Sequence, residues 1–260
     1  MEKGNFAVQK STAEIPYEDR RVHGDLYVPE GAGRYPAVIL SHGYNGCGTD
    51  FAQEGEYFAS HGFLALAIDF CGGSTRSRSS GASTEMSVRT ETEDLCAALE
   101  FVEELPEVDA ERIFLFGGSQ GGLVSALAAA RRESEVRGLV MYYPAFCIPD
   151  DWKRQYPESD QIPETTEFWG LTLGAVYFRD ACAMEPYGLA GAYHKETLII
   201  HGDEDEIVPL SYSTRLQETY ERARLLILPQ EKHGFSEAGG AEAAEAALCF
   251  LRRQCRSGLR

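Results

Sequence analysis

The sequence predicts an α/β protein with a mainly parallel central sheet flanked by helices. Short continuous apolar runs alternate with segments of helical periodicity along most of the 260-residue chain, as they do in repeated strand–helix units. A glycine-flanked serine, Ser119, stands between one apolar run and an alanine-rich helical segment, which is a second mark of this class. A chain of this length can bury one substantial core, so we expect residues 1–260 to form a single domain.

Seven segments are predicted to be strands because each is a continuous apolar run or begins with polar–apolar alternation. They are residues 22–28, 37–41, 63–68, 112–116, 138–143, 197–200 and 225–228. Continuous apolar runs indicate strands buried on both faces, as in a parallel sheet with helices on either side.

Helical segments fill the intervals between the strands. Asp50 is expected to cap a helix that ends at Gly62, because its carboxylate can accept hydrogen bonds from the first free backbone N–H groups. A second helix, with leucines on one face, stops at Pro106. Alanines and leucines at helical spacing between Ala241 and Leu251 predict a final helix that covers the sheet.

Residues 145–195 interrupt the alternation and are predicted to form a cap inserted into the domain. The segment holds both tryptophans of the chain, Trp152 and Trp169, and four prolines that prevent long regular helices. Its aromatic side chains are expected either to pack as a small satellite core or to line a lid. A lid there lies where open α/β sheets bind ligands, and its tryptophans would suit an aromatic or apolar substrate.

Composition excludes several classes of protein. A formal net charge of −17 argues against binding to nucleic acid, which needs clustered lysine and arginine. No apolar run approaches the ~20 residues that cross a membrane, and the N-terminus lacks the apolar segment of a secretory signal, so a cytoplasmic protein is expected. The seven cysteines are scattered without a C-x-x-C pair, which fits reduced thiols and indicates neither zinc nor a disulfide framework.

The hexapeptide 117–122 predicts a nucleophilic serine. It contains a G-x-S-x-G pattern between a buried strand and a helix, and such a turn exposes the hydroxyl group of its serine. Glycines are needed where a β-carbon would collide with the neighbouring strand or helix. A serine hydroxyl is too weakly acidic to attack an ester unaided, so Ser119 requires a histidine base and a carboxylate that orients the histidine.

His233 is the expected base among six histidines because it follows the last predicted strand and precedes the final helix. From that loop an imidazole can reach the corner at Ser119. His61 closes a predicted helix, and His201 is expected to fix a strand-end turn through hydrogen bonds. His23 is assigned to a surface loop.

The orienting acid is expected among four consecutive acidic residues, 203–206, that follow a predicted strand. Spacing from Gly202 and the apolar anchor at 207–209 favour Asp205, whereas Asp203 is expected to form a turn by bonding to its own loop. Ser119, Asp205 and His233 then occur in the chain order typical of one class of hydrolase.

Acyl transfer also needs two donors aimed where negative charge develops on the carbonyl oxygen. Gln120, immediately after the nucleophile, is expected to supply one backbone N–H. Tyr44, in the loop after the strand at 37–41, is expected to supply the other.

These motifs resemble those of α/β-hydrolase serine esterases, and within them the cinnamoyl or feruloyl esterases of gut bacteria. The similarity runs from about residue 38 to residue 251, and its segments are 41–43, 69–73, 79–81, 117–122, 171–174, 201–205 and His233. The resemblance implies an α/β-hydrolase fold with the cap after its sixth strand. It also implies that Asp151 and Tyr177 in the cap bind the phenolic hydroxyl of the substrate. The alternatives are a helix-capping aspartate and a core-filling tyrosine.

We therefore expect a carboxylic ester hydrolase that needs no cofactor or metal and forms an acyl-enzyme with a small-molecule ester, of hydroxycinnamoyl or another small type. Two alternatives stay open: an acyl-peptide or thioester hydrolase with the same triad, and a non-catalytic ligand-binding protein on a hydrolase fold. Gly118, where the resembling group commonly has histidine, and a more basic loop at 74–78 leave the acyl preference open. A homodimer would agree with the resemblance.

Overall fold

An eight-stranded sheet forms the centre of the computed structural model, which describes residue 1 and residues 4–256. The strands of this sheet and of the cap, numbered together, are β1 (Val8–Tyr17), β2 (Arg20–Pro29), β3 (Tyr35–Ser41), β4 (Leu64–Asp69), β5 (Val108–Gly118), β6 (Val136–Tyr142), β7 (Thr165–Phe168), β8 (Leu171–Gly174), β9 (Thr197–Gly202) and β10 (Ala223–Leu228). The α-helices are α1 (Ala52–Ser60), α2 (Val88–Glu104), α3 (Gln120–Arg131), α4 (Ile148–Gln155), α5 (Ala175–Ala183), α6 (Pro186–Ala190), α7 (Leu210–Thr219) and α8 (Glu237–Arg256).

The strand order across the central sheet is β1-β2-β4-β3-β5-β6-β9-β10. β2 pairs antiparallel with both β1 and β4, and the pairs from β4 through β10 are parallel. Every residue of β4 and of β9 is buried, as expected of strands covered on both faces. The mainly parallel sheet flanked by helices is therefore confirmed.

Alternate side chains of β3 enter two separate layers of core. Ile39 belongs to the layer that contains Leu95 of α2 and Leu123 of α3. Val38 and Leu40 point the other way, into the layer formed with α1 and α8. This alternation follows from the two-residue period of a strand, and it leaves the carboxyl edge of the sheet free for loops.

The structure adds to the central sheet a strand, β1, that the sequence does not predict. In β1 only Ala13 and Ile15 are buried, so its polar composition hides it from a search for apolar runs. β1 covers His23, which lies in β2 directly opposite Glu14 and is 7% exposed. The assignment of His23 to a surface loop was therefore wrong: its Nδ1 lies 2.6 Å from a carboxylate oxygen of Glu14.

The first helical region begins earlier than predicted. A short 3₁₀ helix, Gly48–Phe51, precedes α1, and Cys47 rather than Asp50 is its N-cap. Asp50 is the third residue of that turn, where its carboxylate accepts the backbone N–H of Cys47 at 3.0 Å. Asp50 thus closes the turn from inside, and its predicted capping position was wrong.

The cap follows β6 and consists of α4, the antiparallel hairpin β7–β8, α5 and α6. Its helices are short, and Pro149 and Pro186 stand in the first turns of α4 and α6, where a missing N–H costs nothing. Trp152 packs edge-on against Phe178, with 4.6 Å between ring centroids, and joins the same core layer as α2 and α3. The aromatic residues of the cap thus extend the main core.

Two glycines allow β5 and α3 to meet closely at Ser119. A Cβ on Gly117 would lie far inside van der Waals contact with the backbone oxygen of Gly121. A Cβ on Gly121 would in turn collide with the backbone oxygens of Ser41 and His42 at the end of β3. The corner therefore accepts no side chain at either position.

We predict that Gly117→Ala lowers the free energy of unfolding by about 3 kcal/mol or more, because backbone must move to admit the methyl group. Urea unfolding followed by circular dichroism measures the change. Gly188→Ala is the matched control: its Cβ would meet nothing within 4 Å, so stability should hold or rise slightly. Equal stability of the two variants would contradict the steric explanation.

Candidate active site

Ser119 occupies the corner between β5 and α3 with a strained backbone. Its φ of 53° and ψ of −121° lie where a residue with a side chain is unfavourable by about 1–3 kcal/mol. The backbone N–H of Ser119 donates to the carbonyl of Tyr142 at the end of β6, at 2.9 Å. The half-buried side chain thereby stands at the N-terminus of α3, at the carboxyl edge of the sheet.

His233 lies in the loop between β10 and α8 and connects the two other predicted residues. Its Nε2 is 3.0 Å from Oγ of Ser119, and its Nδ1 is 2.8 Å from Oδ2 of Asp205. In the neutral imidazole, an Nδ1–H that donates to the carboxylate leaves Nε2 to accept the serine hydroxyl. The ring also packs against Tyr143, with 4.5 Å between centroids. The structure thus brings Ser119, His233 and Asp205 into one hydrogen-bonded row.

Asp205 is held as a carboxylate by several donors. Oδ1 accepts the backbone N–H groups of Ile207 and Val208, each at 2.9 Å, while Oδ2 faces His233 and lies 3.2 Å from Nε2 of His201. Burial acts to raise the pKa of Asp205, but the hydrogen bonds from His201, His233 and the backbone of Val208 outweigh it and hold the pKa well below its ordinary range. Asp205 is therefore ionised at neutral pH.

The neighbouring residues of Asp205 organise the two loops that meet here. His201 is fully buried and contacts Oγ of Ser213 at 2.7 Å and the carbonyl of Val208 at 2.9 Å, which fixes the strand-end turn as the sequence predicts. Asp203 accepts the backbone N–H of Gln230 at 2.6 Å. Its bond therefore reaches the loop that carries His233, which corrects the expectation of a bond within its own loop.

The loop after β3 runs directly beside Ser119. A Cβ on Gly43 would lie 3.2 Å from Cβ of Ser119. His42, which is buried, donates from Nδ1 to the carbonyl of Gly43 at 2.7 Å and accepts the N–H of Phe70 at Nε2, at 3.1 Å. Burial lowers the pKa of His42 and so favours the neutral ring that this pair of bonds requires. His42 orders the loop, a role that the sequence does not indicate.

The same loop is fastened to the cap. The hydroxyl of Tyr44 donates to the carbonyl of Phe168 at 2.7 Å, and the side-chain amide of Asn45 donates to the carbonyl of Trp169 at 3.1 Å. Trp169 and Gly170 form the β7–β8 turn with positive φ angles of 42° and 79°. The tip of the cap hairpin is thus tied to the loop that carries the backbone N–H of Tyr44.

A cavity of about 440 Å³ lies between this corner and the cap. Ser119 and the two residues predicted to supply oxyanion donors, Tyr44 and Gln120, form part of its wall. The four predicted cap residues complete another part of that wall, and they are Asp151, Trp152, Trp169 and Tyr177. The structure therefore brings the predicted site residues together at one cavity: His233 reaches it through its contact with Ser119, and Asp205 lies behind His233.

The cap residues differ in exposure and contacts. Tyr177 is buried, and its hydroxyl donates to Oε1 of Gln120 at 2.7 Å, so it both fills core and reaches the cavity. Asp151 is half exposed on α4 and forms an ion pair with Arg154, with 3.2 Å between N and O. Trp152 is buried at the centre of the cap, whereas Trp169 is 62% exposed and stacks on Phe168.

Glu91 of α2 also adjoins the site, although the sequence did not predict it there. It is buried, and its Oε2 accepts the side-chain N–H of Gln120 at 2.8 Å. One signal was available: Glu91 falls on the apolar face of the predicted helix, in helical register with Leu95 and Leu99, where a charged residue needs an explanation.

Three observations concern other kinds of site. All seven cysteines carry free thiols. Within residues 4–256, no group of three or more histidine, cysteine or acidic residues is arranged to hold a metal ion. No helix in the part of the chain that the structure describes has the length and apolar character needed to span a membrane.

The fold and this site define an α/β hydrolase with a serine at the nucleophile corner. The chain belongs to the prolyl oligopeptidase family, whose family model matches residues 49–257. A serine hydrolase of mouse, BPHL, is 25% identical over 251 residues, which cover 88% of this chain and 82% of that protein. Cutinase est1 of Thermobifida alba is 30% identical over 135 residues, or 50% of this chain and 42% of the cutinase.

A solved structure of Est1E from Butyrivibrio proteoclasticus with bound ferulic acid has a similar fold. The TM-score is 0.86 at 24% sequence identity, and the match covers 94% of this chain and 99% of Est1E. Dienelactone hydrolase from Anabaena variabilis aligns with a TM-score of 0.69 at 19% identity, over 95% of this chain and 98% of that one. At these identities the likeness establishes the α/β-hydrolase fold.

We predict that Asp205→Asn lowers the free energy of unfolding by about 2 kcal/mol at neutral pH, because buried donors lose a charged acceptor. Since the folded pKa of Asp205 is depressed, this stability is present above the ordinary aspartate pKa of about 3.9 and is lost as pH falls toward the folded value. The difference from wild type should persist from pH 7 to about pH 4 and shrink below, as measured by urea unfolding at each pH.

Glu204→Gln provides the control, since Glu204 is an exposed carboxylate on the same loop. Its stability should stay within about 0.5 kcal/mol of wild type at every pH. An Asp205→Asn deficit that stayed constant through the most acidic conditions would contradict a depressed pKa for Asp205.

Proposed function

We propose that the protein is a carboxylic ester hydrolase that acts through an acyl-enzyme on Ser119. The observation that carries the proposal is the unbroken row from Oγ of Ser119 through His233 to Asp205, with contacts of 3.0 and 2.8 Å. The serine stands on a strained corner beside a cavity large enough for a small ester. Such a row is what nucleophilic attack by a serine requires.

In the proposed reaction, Oγ of Ser119 attacks the ester carbonyl while Nε2 of His233 takes the hydroxyl proton. His233 then gives that proton to the departing alcohol as the carbon–oxygen bond of the ester breaks. A water molecule then attacks the acyl-enzyme while His233 takes its proton; the bond between the acyl carbon and Oγ of Ser119 breaks, His233 returns the proton to Oγ, and the acid leaves. Asp205 stays ionised throughout, holds the Nδ1–H tautomer and stabilises the imidazolium that forms at each step.

The backbone N–H groups of Tyr44 and Gln120 are proposed to bind the oxyanion. Support comes from the close approach of the loop at Gly43 to Ser119 and from the position of Gln120 as the first residue of α3. Free N–H groups at a helix N-terminus favour negative charge. His42 and the bonds from Tyr44 and Asn45 to the cap hold the loop in place, so little reorganisation is needed when the charge develops.

The proposed substrate class is an ester of a hydroxycinnamoyl or similar small aromatic acid. Aromatic side chains of the cap form much of the cavity wall, which suits a planar aromatic acyl group. The hydroxyl of Tyr177 donates a hydrogen bond to Gln120, so the lone pairs of its oxygen remain to accept a hydrogen bond from a phenolic hydroxyl of the substrate. Asp151 supplies a second acceptor at the cavity. The ferulic acid in the structure of Est1E supports the same class.

Membership of the prolyl oligopeptidase family favours one other candidate, hydrolysis of a peptide bond. The same serine, histidine and oxyanion donors serve any acyl transfer, so the leaving group is what differs. A comparison of ester and peptide p-nitroanilide substrates separates the two candidates directly.

We predict that Ser119→Ala lowers kcat for p-nitrophenyl acetate by a factor on the order of 10⁶, because the nucleophile is removed. A fluorophosphonate probe should label the wild-type protein and leave Ser119→Ala unlabelled. Ser125→Ala is the control, since Ser125 is buried in α3 away from the cavity wall. Ester hydrolysis that survives in Ser119→Ala would overturn the proposed mechanism, as would wild type that resists the probe.

We predict that wild type prefers methyl p-coumarate over methyl cinnamate, which lacks the phenolic hydroxyl, and that Asp151→Asn reduces this preference about tenfold in kcat/KM. The reason is that the phenol loses a charged acceptor, whereas the unsubstituted ring loses nothing. Asp150→Asn is the matched control, because Asp150 contacts Tyr212 and is not part of the cavity wall. An identical ratio of the two substrates in all three proteins would remove Asp151 from the site.

A further inference from the structure

Three buried polar side chains form a row from the interior of the protein to the cavity wall. The side-chain amide of Gln120 donates from Nε2 to Oε2 of Glu91 at 2.8 Å. Its Oε1 accepts the hydroxyl proton of Tyr177 at 2.7 Å. None of the three residues is more than 2% exposed. The proposed reaction uses the backbone of Gln120 but gives Glu91 no part.

A carboxyl group in the position of Glu91 is unfavourable by itself. Acidic side chains are rarely buried without a partner, because the charged form loses its hydration. Burial raises the pKa of Glu91 well above its ordinary range, Asp94 adds to the rise, and the bond from Gln120 opposes it. A methionine or leucine would fill the same space in the core without this cost, so the contact with Gln120 is the feature that needs the carboxyl group.

The row holds the amide of Gln120 at both of its ends. An amide has a donor end and an acceptor end, and a half-turn about its last bond exchanges them. In the structure the NH₂ end faces the oxygen of Glu91, and the oxygen end accepts a hydrogen bond from the hydroxyl of Tyr177. The side chain of Gln120 is thereby fixed between α2 and α5, one residue beyond Ser119.

We infer that Glu91 is a positioning residue of the esterase site. By holding the side chain of Gln120, it holds the backbone N–H of the same residue in the direction of the developing oxyanion. The geometry of an oxyanion donor matters because displacement of about 1 Å in such sites reduces rate up to ~10²-fold. This inference rests on the proposed function, since it assigns Glu91 a part in the same ester hydrolysis.

The experiment begins with Glu91→Met and Glu91→Gln, assayed with p-nitrophenyl acetate. Glu91→Met keeps the length of the side chain but cannot accept the bond, so kcat should fall about tenfold while KM stays within about twofold. Glu91→Gln retains an acceptor oxygen at the same place, so its kcat should stay within about twofold of wild type. Rescue by the conservative variant is what a positioning role requires.

Asp94→Asn is the matched control for disturbance of α2. Asp94 is also buried on this helix, but it bonds to the hydroxyl of Tyr17 and the backbone of Cys71 rather than to Gln120. Its thermal midpoint should fall while kcat is retained within about twofold. If Glu91 had only a structural role, Glu91→Met and Asp94→Asn would each lose kcat in proportion to their loss of stability.

A double-mutant cycle with Gln120→Ala completes the test. Gln120→Ala keeps the backbone N–H but removes the side chain that Glu91 holds, so it should itself lower kcat about tenfold. In that background Glu91→Met should cause no further loss, because coupled residues are not additive. Glu91→Met that lowers kcat by the same factor in both backgrounds overturns the inference, as does a Gln120→Ala variant with unchanged kcat.

These outcomes are distinguishable from failure of the proposed function. Wild type without ester hydrolysis, or Ser119→Ala that retains it, would overturn the esterase itself. An active wild type whose cycle is additive overturns only the role of Glu91. If circular dichroism shows that Glu91→Met does not fold, Gln120→Ala tests the same hydrogen bond from its other side, and the same loss of kcat is required.

Discussion

The close approach of backbone at the nucleophile corner is the constraint on which the rest of the site depends. Gly117 at the end of β5 meets Gly121 of α3, and Gly121 meets the last residues of β3. These contacts place Ser119 and the loop that carries Tyr44, the proposed oxyanion donor, in one rigid unit. The unfavourable φ of Ser119 persists because the surrounding packing permits no relaxed alternative.

Two buried carboxyl groups serve this unit in opposite electrostatic states. Asp205 is surrounded by imidazole and backbone donors, and its pKa is lowered. Glu91 lies in an apolar layer and accepts one hydrogen bond, from the side-chain amide of Gln120, and its pKa is raised. The number of donors decides the direction in each case. The carboxyl group with the lowered pKa therefore stands beside the imidazole, where positive charge develops in the proposed reaction, and the one with the raised pKa stands behind the proposed oxyanion donor.

Much of this arrangement could be predicted from the sequence, because parallel strands bring their carboxyl ends to one edge of the sheet. Ser119, Asp205 and His233 follow three such strands, so their order along the chain was enough to predict that they meet. Other features could not be predicted, because they depend on contacts between segments that are far apart in the sequence. The polar strand β1 covers His23. Cys47, rather than Asp50, is the N-cap of the first short helix, and Asp203 accepts a hydrogen bond from the loop that carries His233. Glu91 was visible only as a charge on an apolar helix face.

The link between the cap hairpin and the loop that carries Tyr44 has a consequence for substrate size in the proposed reaction. Tyr44 and Asn45 hold the carbonyls of Phe168 and Trp169, so an outward movement of the hairpin would pull on the loop that carries the proposed oxyanion donor. A molecule too large for the cavity gains room only if the hairpin moves outward, and that movement displaces the loop. If the proposed function holds, discrimination against bulky acyl groups is therefore expected as slower turnover more than as weaker binding.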